Sequence, residues 1–155
     1  TTRFYTLSLT AALTISPGKS IFLFLYKVLL RRYRYKYGFE ISSEAKIGEG
    51  FYLTSHCSPV IIGPIKMGKN CNVSHCVTIG RGIAGERKGR PTIGDDVWIG
   101  PGSIIVGKVT IGNDVLIAPN TFVNFDVPDH SIVIGSPGKI IAKENPTKDY
   151  IHFKV

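Results

Sequence analysis

Residues 93–123 read "IGDDVWIGPGSIIVGKVTIGNDVLIAPNTFV" and place Ile93, Ile99, Ile105, Ile111, Ile117 and Val123 at a constant interval of six. A helix repeats its apolar face every three to four residues and a half-buried strand every two, so neither explains this run as one element. Each unit carries a second small or β-branched residue four places on: Val97, Ser103, Val109, Val115, Thr121 and Val127. Two inward places per unit describe a short strand followed by a turn. Gly94 and Asp95, Gly112 and Asn113, and Pro119 and Asn120 suit the φ values of tight corners. The pattern predicts a solenoid of short parallel strands.

Extended towards the N-terminus, the same beat runs through Ile61, Met67, Val73 and Ile79, with Ile65, Cys71 and Val77 as second inward residues, and before them Ile41, Ile47 and Leu53. It breaks twice. Eight residues separate Leu53 from Ile61, and fourteen separate Ile79 from Ile93. Insertions in repeat proteins are loops, where sites are commonly built.

With 155 residues and 43% hydrophobic content, the chain has the size and apolar share of one domain. Cys57, Cys71 and Cys76 have no metal-ligand spacing, and Cys57 and Cys71 fall on inward places. Buried, reduced thiols in a cytoplasmic protein are expected, with no metal site. The formal charge of +8 suggests an anionic partner, such as a phosphorylated ligand or a membrane surface. The basic residues are scattered and match no nucleic-acid-binding module, which argues against nucleic acid.

Residues 1–40 differ in character and form an expected N-terminal helical segment, ahead of a repeat domain at 41–145 and a C-terminal tail at 146–155. Within the first, "SIFLFLYKVLLRRYRYKYG" (20–38) is an apolar run followed by Arg31, Arg32, Arg34 and Lys36. It is too short to span a bilayer. The charges follow the apolar residues and no cleavage site appears, so it does not read as a signal peptide. With no initiator Met, the natural chain is free to begin upstream. The preferred reading is a helix closing the open foot of the solenoid. Its rival is an interfacial helix, giving peripheral membrane contact.

Three units make one triangular coil, so every third unit lies on one face. Units beginning at Leu53, Val73, Ile99 and Ile117 then share a face, and their third residues, Ser55, His75, Pro101 and Pro119, form a column. His56 stands at its foot, in the unit enlarged by two residues. The inserted loop "RGIAGERKGR" (81–90), leaving the coil at Gly80, is basic and Gly-rich and is expected beside the histidines. It matches no Walker or dinucleotide fingerprint.

The segments "FEISSEAKIGEGFYLTSH", "NVSHCVTIGRG", "RPTIGDDVWIGPGSIIVG" and "VIGSPGKIIAK" together resemble the left-handed β-helix acyltransferases. The nearest branches are the serine acetyltransferases and the short O-acetyltransferases of capsule and exopolysaccharide clusters. The resemblance implies an all-β fold, a left-handed parallel β-helix of about five triangular coils. It also implies acetyl-CoA as acetyl donor and a homotrimer with sites between neighbouring prisms. By that resemblance His56 is the general base and Glu40 the acid that orients it, with His75 an oxyanion donor or alternate base. Gly80, Arg81, Pro101, Pro119, Lys139 and Lys143 are the residues expected along the CoA groove, with Ser55 and Arg90 towards the acceptor. Serine acetyltransferases carry an Arg-His pair before the loop's proline and a large helical N-terminal domain. Here Gly89 and Arg90 precede Pro91. On these departures a sugar hydroxyl is the expected acceptor, with serine, or a non-catalytic scaffold, as the alternatives.

Overall fold

The computed structural model describes residues 17–54, 59–152 and 154–155. After α1 (Pro17–Tyr37) the chain winds through β1 (Phe39–Ile41), β2 (Lys46–Ile47), β3 (Tyr52–Leu53), β4 (Val60–Ile62), β5 (Lys66–Met67) and β6 (Asn72–Val73). It continues through β7 (Thr78–Gly80), β8 (Thr92–Ile93), β9 (Val97–Ile99), β10 (Ile104–Val106), β11 (Thr110–Ile111), β12 (Val115–Ile117) and β13 (Phe122–Val123), ending with β14 (Ser131–Ile134) and β15 (Lys139–Ala142). Every third strand pairs in parallel as far as β13, and β14 then follows β12, which makes three flat faces of a left-handed parallel β-helix. The first face is β1-β4-β7-β10-β13, the second β2-β5-β8-β11, and the third β3-β6-β9-β12-β14, to which β15 adds an antiparallel edge.

The sixfold beat becomes three ladders of identical inward places. On the third face Leu53, Val73, Ile99, Ile117 and Val133 stack in register, as the unit count required. On the second, Ile47, Met67, Ile93 and Ile111 do the same. The ladder residues from Val73 upward are almost wholly excluded from water. Burying a side chain of this size stabilises by roughly 1.5–3 kcal/mol, which is why so short a strand persists.

The first face departs from the expected register. Ile62, not Ile61, lies between Ile41 and Ile79, while Ile61 points outward and is 43% exposed. The interval from Leu53 is therefore nine residues, and only five separate Ile62 from Met67. Val60, Ile61 and Ile62 are all aliphatic, so the pattern alone does not choose among registers that put opposite faces inward.

The turns use two devices. Left-handed φ falls on Asn70, Asp96, Asp114 and His130 at one corner and on Cys76, Gly102 and Asn120 at another, one residue beyond the expected Asp95 and Asn113. Gly94 and Gly112 serve close approach instead of φ: a Cβ on Gly94 would lie 2.7 Å from the Gly112 carbonyl oxygen. Asp95 and Asn113 then rivet successive coils, each side-chain oxygen accepting a backbone N–H from the coil before it, Lys69 N–H to Asp95 at 2.7 Å and Asp95 N–H to Asn113 at 2.8 Å.

The helix does not close the foot of the prism. Its last turn meets the first coil, where the Arg34 guanidinium donates to the Ile41 carbonyl at 3.0 Å, but Ile21, Phe22, Phe24, Leu25, Val28 and Leu29 are exposed. The physical reason lies in α1 itself, whose apolar residues surround the axis and present no single stripe to dock.

Candidate functional site

Each corner of the prism has a distinct chemistry. The corner from the third face to the first carries the histidine column. His75 follows β6, and its carbonyl accepts the Gly102 N–H at 3.0 Å; the Pro101 carbonyl accepts the Asn120 N–H at 2.9 Å. These bonds stack His75, Pro101 and the Pro119–Asn120 turn directly over one another. The His75 side chain is exposed, and Cys76 beside it is exposed in left-handed backbone, with φ of 57°. Ser55, His56 and Cys57 lie outside the described residues. Lys139 begins β15 opposite Ile134, at the top of this same corner.

The corner from the first face to the second carries the inserted loop. It is a short hairpin, Gly82 and Gly89 exchanging backbone hydrogen bonds at 2.8 and 3.2 Å. The hairpin lies back on its own prism: the Lys108 N–H donates to the Arg87 carbonyl, and Arg87 pairs with Asp126 at 3.0 Å. The Asp126 carboxyl is held below its ordinary value by the Thr110 backbone N–H and by Arg87. Arg90 approaches Glu44 at 3.9 Å, beside Lys46 and Lys66. Gly80, Arg81 and Arg90 thus stand one face-width from the histidine column. The loop is not beside His75 within one chain, because β7 spans the whole first face before the loop begins.

Glu40 is outward on β1 and lines a shallow depression with Arg34, Ser42, Ser43, Gly63 and Pro64, on the loop side of the first face. Lys143 is also apart from the column, its N–H donating to the His130 carbonyl at the third corner.

That third corner, between the second and third faces, carries the C-terminal segment. Residues 146–152, with 154 and 155, lie along the third face across several coils. Thr147 donates to Asp114 through both its hydroxyl, at 2.5 Å, and its N–H; the Tyr150 ring packs on Trp98, with centroids 4.7 Å apart; Lys154 pairs with Asp96 at 3.0 Å; and the Val155 N–H reaches Asn70 at 2.9 Å. Burial would raise the Asp114 carboxyl, but the bonds from Thr147 and His130 outweigh it and hold the group below its ordinary value. The only sequence signal for this strap is the outward Trp98 and Leu116, too apolar for an open face.

Of the cysteines, Cys71 is buried as expected, and burial pushes its thiol up to about 12. Cys76 is exposed, against expectation, because the left-handed corner turns it outward.

The model of the bacterial transferase hexapeptide family (six repeats) matches residues 90–124. The chain is 36% identical over 131 residues to the serine acetyltransferase of Bacillus subtilis, covering 81% of this chain and 58% of that protein. It is 35% identical over 127 residues to the serine acetyltransferase of Helicobacter pylori, covering 81% and 74%. Among solved structures, the Neisseria gonorrhoeae serine acetyltransferase in complex with serine matches with a TM-score of 0.64 and 32% identity, over 74% of this chain and 47% of that one. The chain spans little more than half the length of the Bacillus relatives. The family model's match lies within the β-helix, and with nearly three quarters of the Helicobacter protein covered at this identity, the chain belongs to the serine acetyltransferase family of hexapeptide-repeat transferases.

Proposed function

We propose that this chain is an acetyl-CoA-dependent O-acetyltransferase, working as a trimer and taking L-serine as acceptor. The observation that carries the reading is the likeness to serine acetyltransferases along the β-helix, including one solved with serine. It moves the preferred acceptor from a sugar hydroxyl to serine, since no support for the polysaccharide branch comes from these relatives. A further serine acetyltransferase, 26% identical with a TM-score of 0.58, was solved in complex with CoA, which favours the same donor here.

The trimer supplies what one prism lacks. The histidine corner and the loop corner flank the first face, whose outward residues Ile61, Thr78, Ile104 and Phe122 form a largely apolar column. The third face is covered by the tail, and the second is polar with Lys46, Lys66, Thr92 and Thr110 outward. A neighbour seated against the first face would bring one chain's loop corner towards another's histidine corner.

In the reaction, His56 takes the proton of the serine hydroxyl as its oxygen attacks the thioester carbonyl. Such general-base help is worth about 10²- to 10⁴-fold. Glu40 holds the imidazole in the required tautomer and stabilises the imidazolium. The C–O bond forms, the C–S bond breaks, and the proton passes from His56 to the CoA sulfur. His75 or backbone N–H groups donate to the transient oxyanion. Lys139 and the loop's basic residues suit the phosphates of CoA. Reduced thiols, with Cys71 buried, fit a cytoplasmic setting.

One observation keeps a second acceptor in view. Gly89 has φ of +147° and its missing Cβ would lie 2.9 Å from the Lys108 Cβ, so the loop before Pro91 does not accept the family's larger residue there without shifting. A sugar hydroxyl is the alternative. Thiol release from acetyl-CoA with L-serine tests the choice: turnover at ordinary enzyme rates is expected, and its absence alongside turnover with sugars would reverse the assignment. His56→Ala should lower either turnover by about 10²-fold or more; unchanged turnover would remove His56 as the base.

A further inference from the structure

The last turn of α1 brings to the first coil a charge that the repeat itself does not supply. The Gly38 N–H donates to the Arg34 carbonyl at 2.8 Å, and Gly38, with φ of +72°, turns the chain into β1 at the next residue. That turn sets the Arg34 side chain against β1, where its guanidinium donates to the Ile41 carbonyl at 3.0 Å. Among the described residues the rest of its planar fork of N–H donors has no partner. Glu40 lines the same depression and is likewise without an ion-pair partner among the described residues. The Ser42 hydroxyl, fixed by accepting the Glu44 N–H at 3.2 Å, and Ser43 make the wall between them polar. The space is about 280 Å³, below the range of roughly 300–1,000 Å³ usual for drug-sized ligands. A cation and an anion that face one small space without closing on each other suit a small ligand carrying both charges.

We infer that Arg34 binds the α-carboxylate of the amino-acid acceptor, in place of the arginine that serine acetyltransferases carry before the loop's proline. The inference rests on the reading of this chain as an acetyltransferase that accepts serine. At that loop position the chain has Gly89, where a Cβ would lie 2.9 Å from the Lys108 Cβ. Arg90 is directed to Glu44, in a neighbouring depression with Lys46 and Lys66. The helix therefore supplies the guanidinium that position 89 lacks. A guanidinium fork matches a carboxylate with two parallel hydrogen bonds, and the bond to Ile41 holds this fork in place before a ligand arrives. Glu40 is the acid assigned to the base, so a carboxylate held by Arg34 keeps the acceptor next to the residue that orients His56. An oxygen of Glu40 is also free to accept from the acceptor's ammonium. A sugar hydroxyl brings neither charge, and a guanidinium facing a neutral acceptor would lose water without a replacement partner.

The test compares L-serine with L-serinamide as acceptors from acetyl-CoA, since the amide keeps the hydroxyl and the amine and lacks the anionic carboxylate. The parent chain should prefer L-serine by about 10- to 10²-fold in kcat/KM, the worth of hydrogen bonds to a charged partner. In Arg34→Gln that preference should disappear through a raised KM for L-serine, with the KM for acetyl-CoA and the thermal unfolding unchanged. A preference that survives overturns the inference. An equal loss with both acceptors also overturns it, because Arg34 would then serve only to tie α1 to β1. Collapse of the preference in Arg90→Gln and not in Arg34→Gln would give the carboxylate to the loop and overturn it too. Should Arg34→Gln lower the melting temperature, the same ratio is read in Arg34→Lys, which keeps the charge and loses the fork; an unchanged preference there counts against the inference in the same way. A parent chain that acetylates sugars and not L-serine withdraws the serine reading and this inference with it, an outcome visible before any variant is made.

Discussion

Leu53 and Ile117 occupy the same inward place on the same face, yet Ile117 is fully buried and Leu53 only half so. The difference is position in the stack. Ile117 has a coil below it, a coil above it and, outside it, a face covered by the C-terminal strap. Leu53 belongs to the first coil, along with Phe39, Ile41, Ile47 and Phe51, all of them only partly buried. In a solenoid each rung is sealed by its neighbours, so an end rung relies on whatever follows or precedes the repeats. At the top β15 pairs along the last rung of the third face; α1 does not seal the foot.

The widest gap should appear on truncating equivalent residues. Ile117→Ala is expected to cost about 3–5 kcal/mol and Leu53→Ala about half that, measured by denaturant unfolding. Equal costs would mean that the foot is sealed as tightly as the upper coils. The strap's part in the contrast is read through Asp114. Because its folded pKa is depressed, its stabilising contribution is present above the unfolded value near 3.8 and lost as pH falls through the lower folded value. Asp114→Asn should therefore lower the melting temperature at pH 7 by an amount equivalent to about 1 kcal/mol, with the gap from the parent closing below pH 3.8. A gap that persists there would deny the carboxylate its role in anchoring Thr147. The smallest expected effect is a gain. Cys76 adopts φ of 57° at an exposed corner where Gly102 and Asn120 stand in the coils above. Cys76→Gly should stabilise by about 1 kcal/mol, since a non-glycine residue is disfavoured in left-handed backbone by about that much. Destabilisation would point to a contact made by the thiol.

Much of the site's organisation was legible because it follows from counting. The stacking of His75, Pro101 and Pro119 needs only units of six and three units per coil. The position of the loop relative to that column was not, because a loop's length says how far it could reach and not where it is pinned. Arg87 meets Asp126, thirty-nine residues away, and this contact holds the hairpin on its own corner. Cys76 could have been suspected from its alignment with Gly102 and Asn120, both natural in left-handed turns.

By itself the sequence determined the solenoid, its three faces and the residues filling most of its interior, since inward places recur at a local period that burial alone selects. The tertiary structure decided what depends on contacts between distant segments. It chose Ile62 over Ile61 among three adjacent aliphatic residues, separated the histidine and loop corners by the width of the first face, laid the tail over Trp98 and left α1 uncovered. Each is a competition between surfaces far apart in the chain, and a six-residue period carries no information about which surface wins.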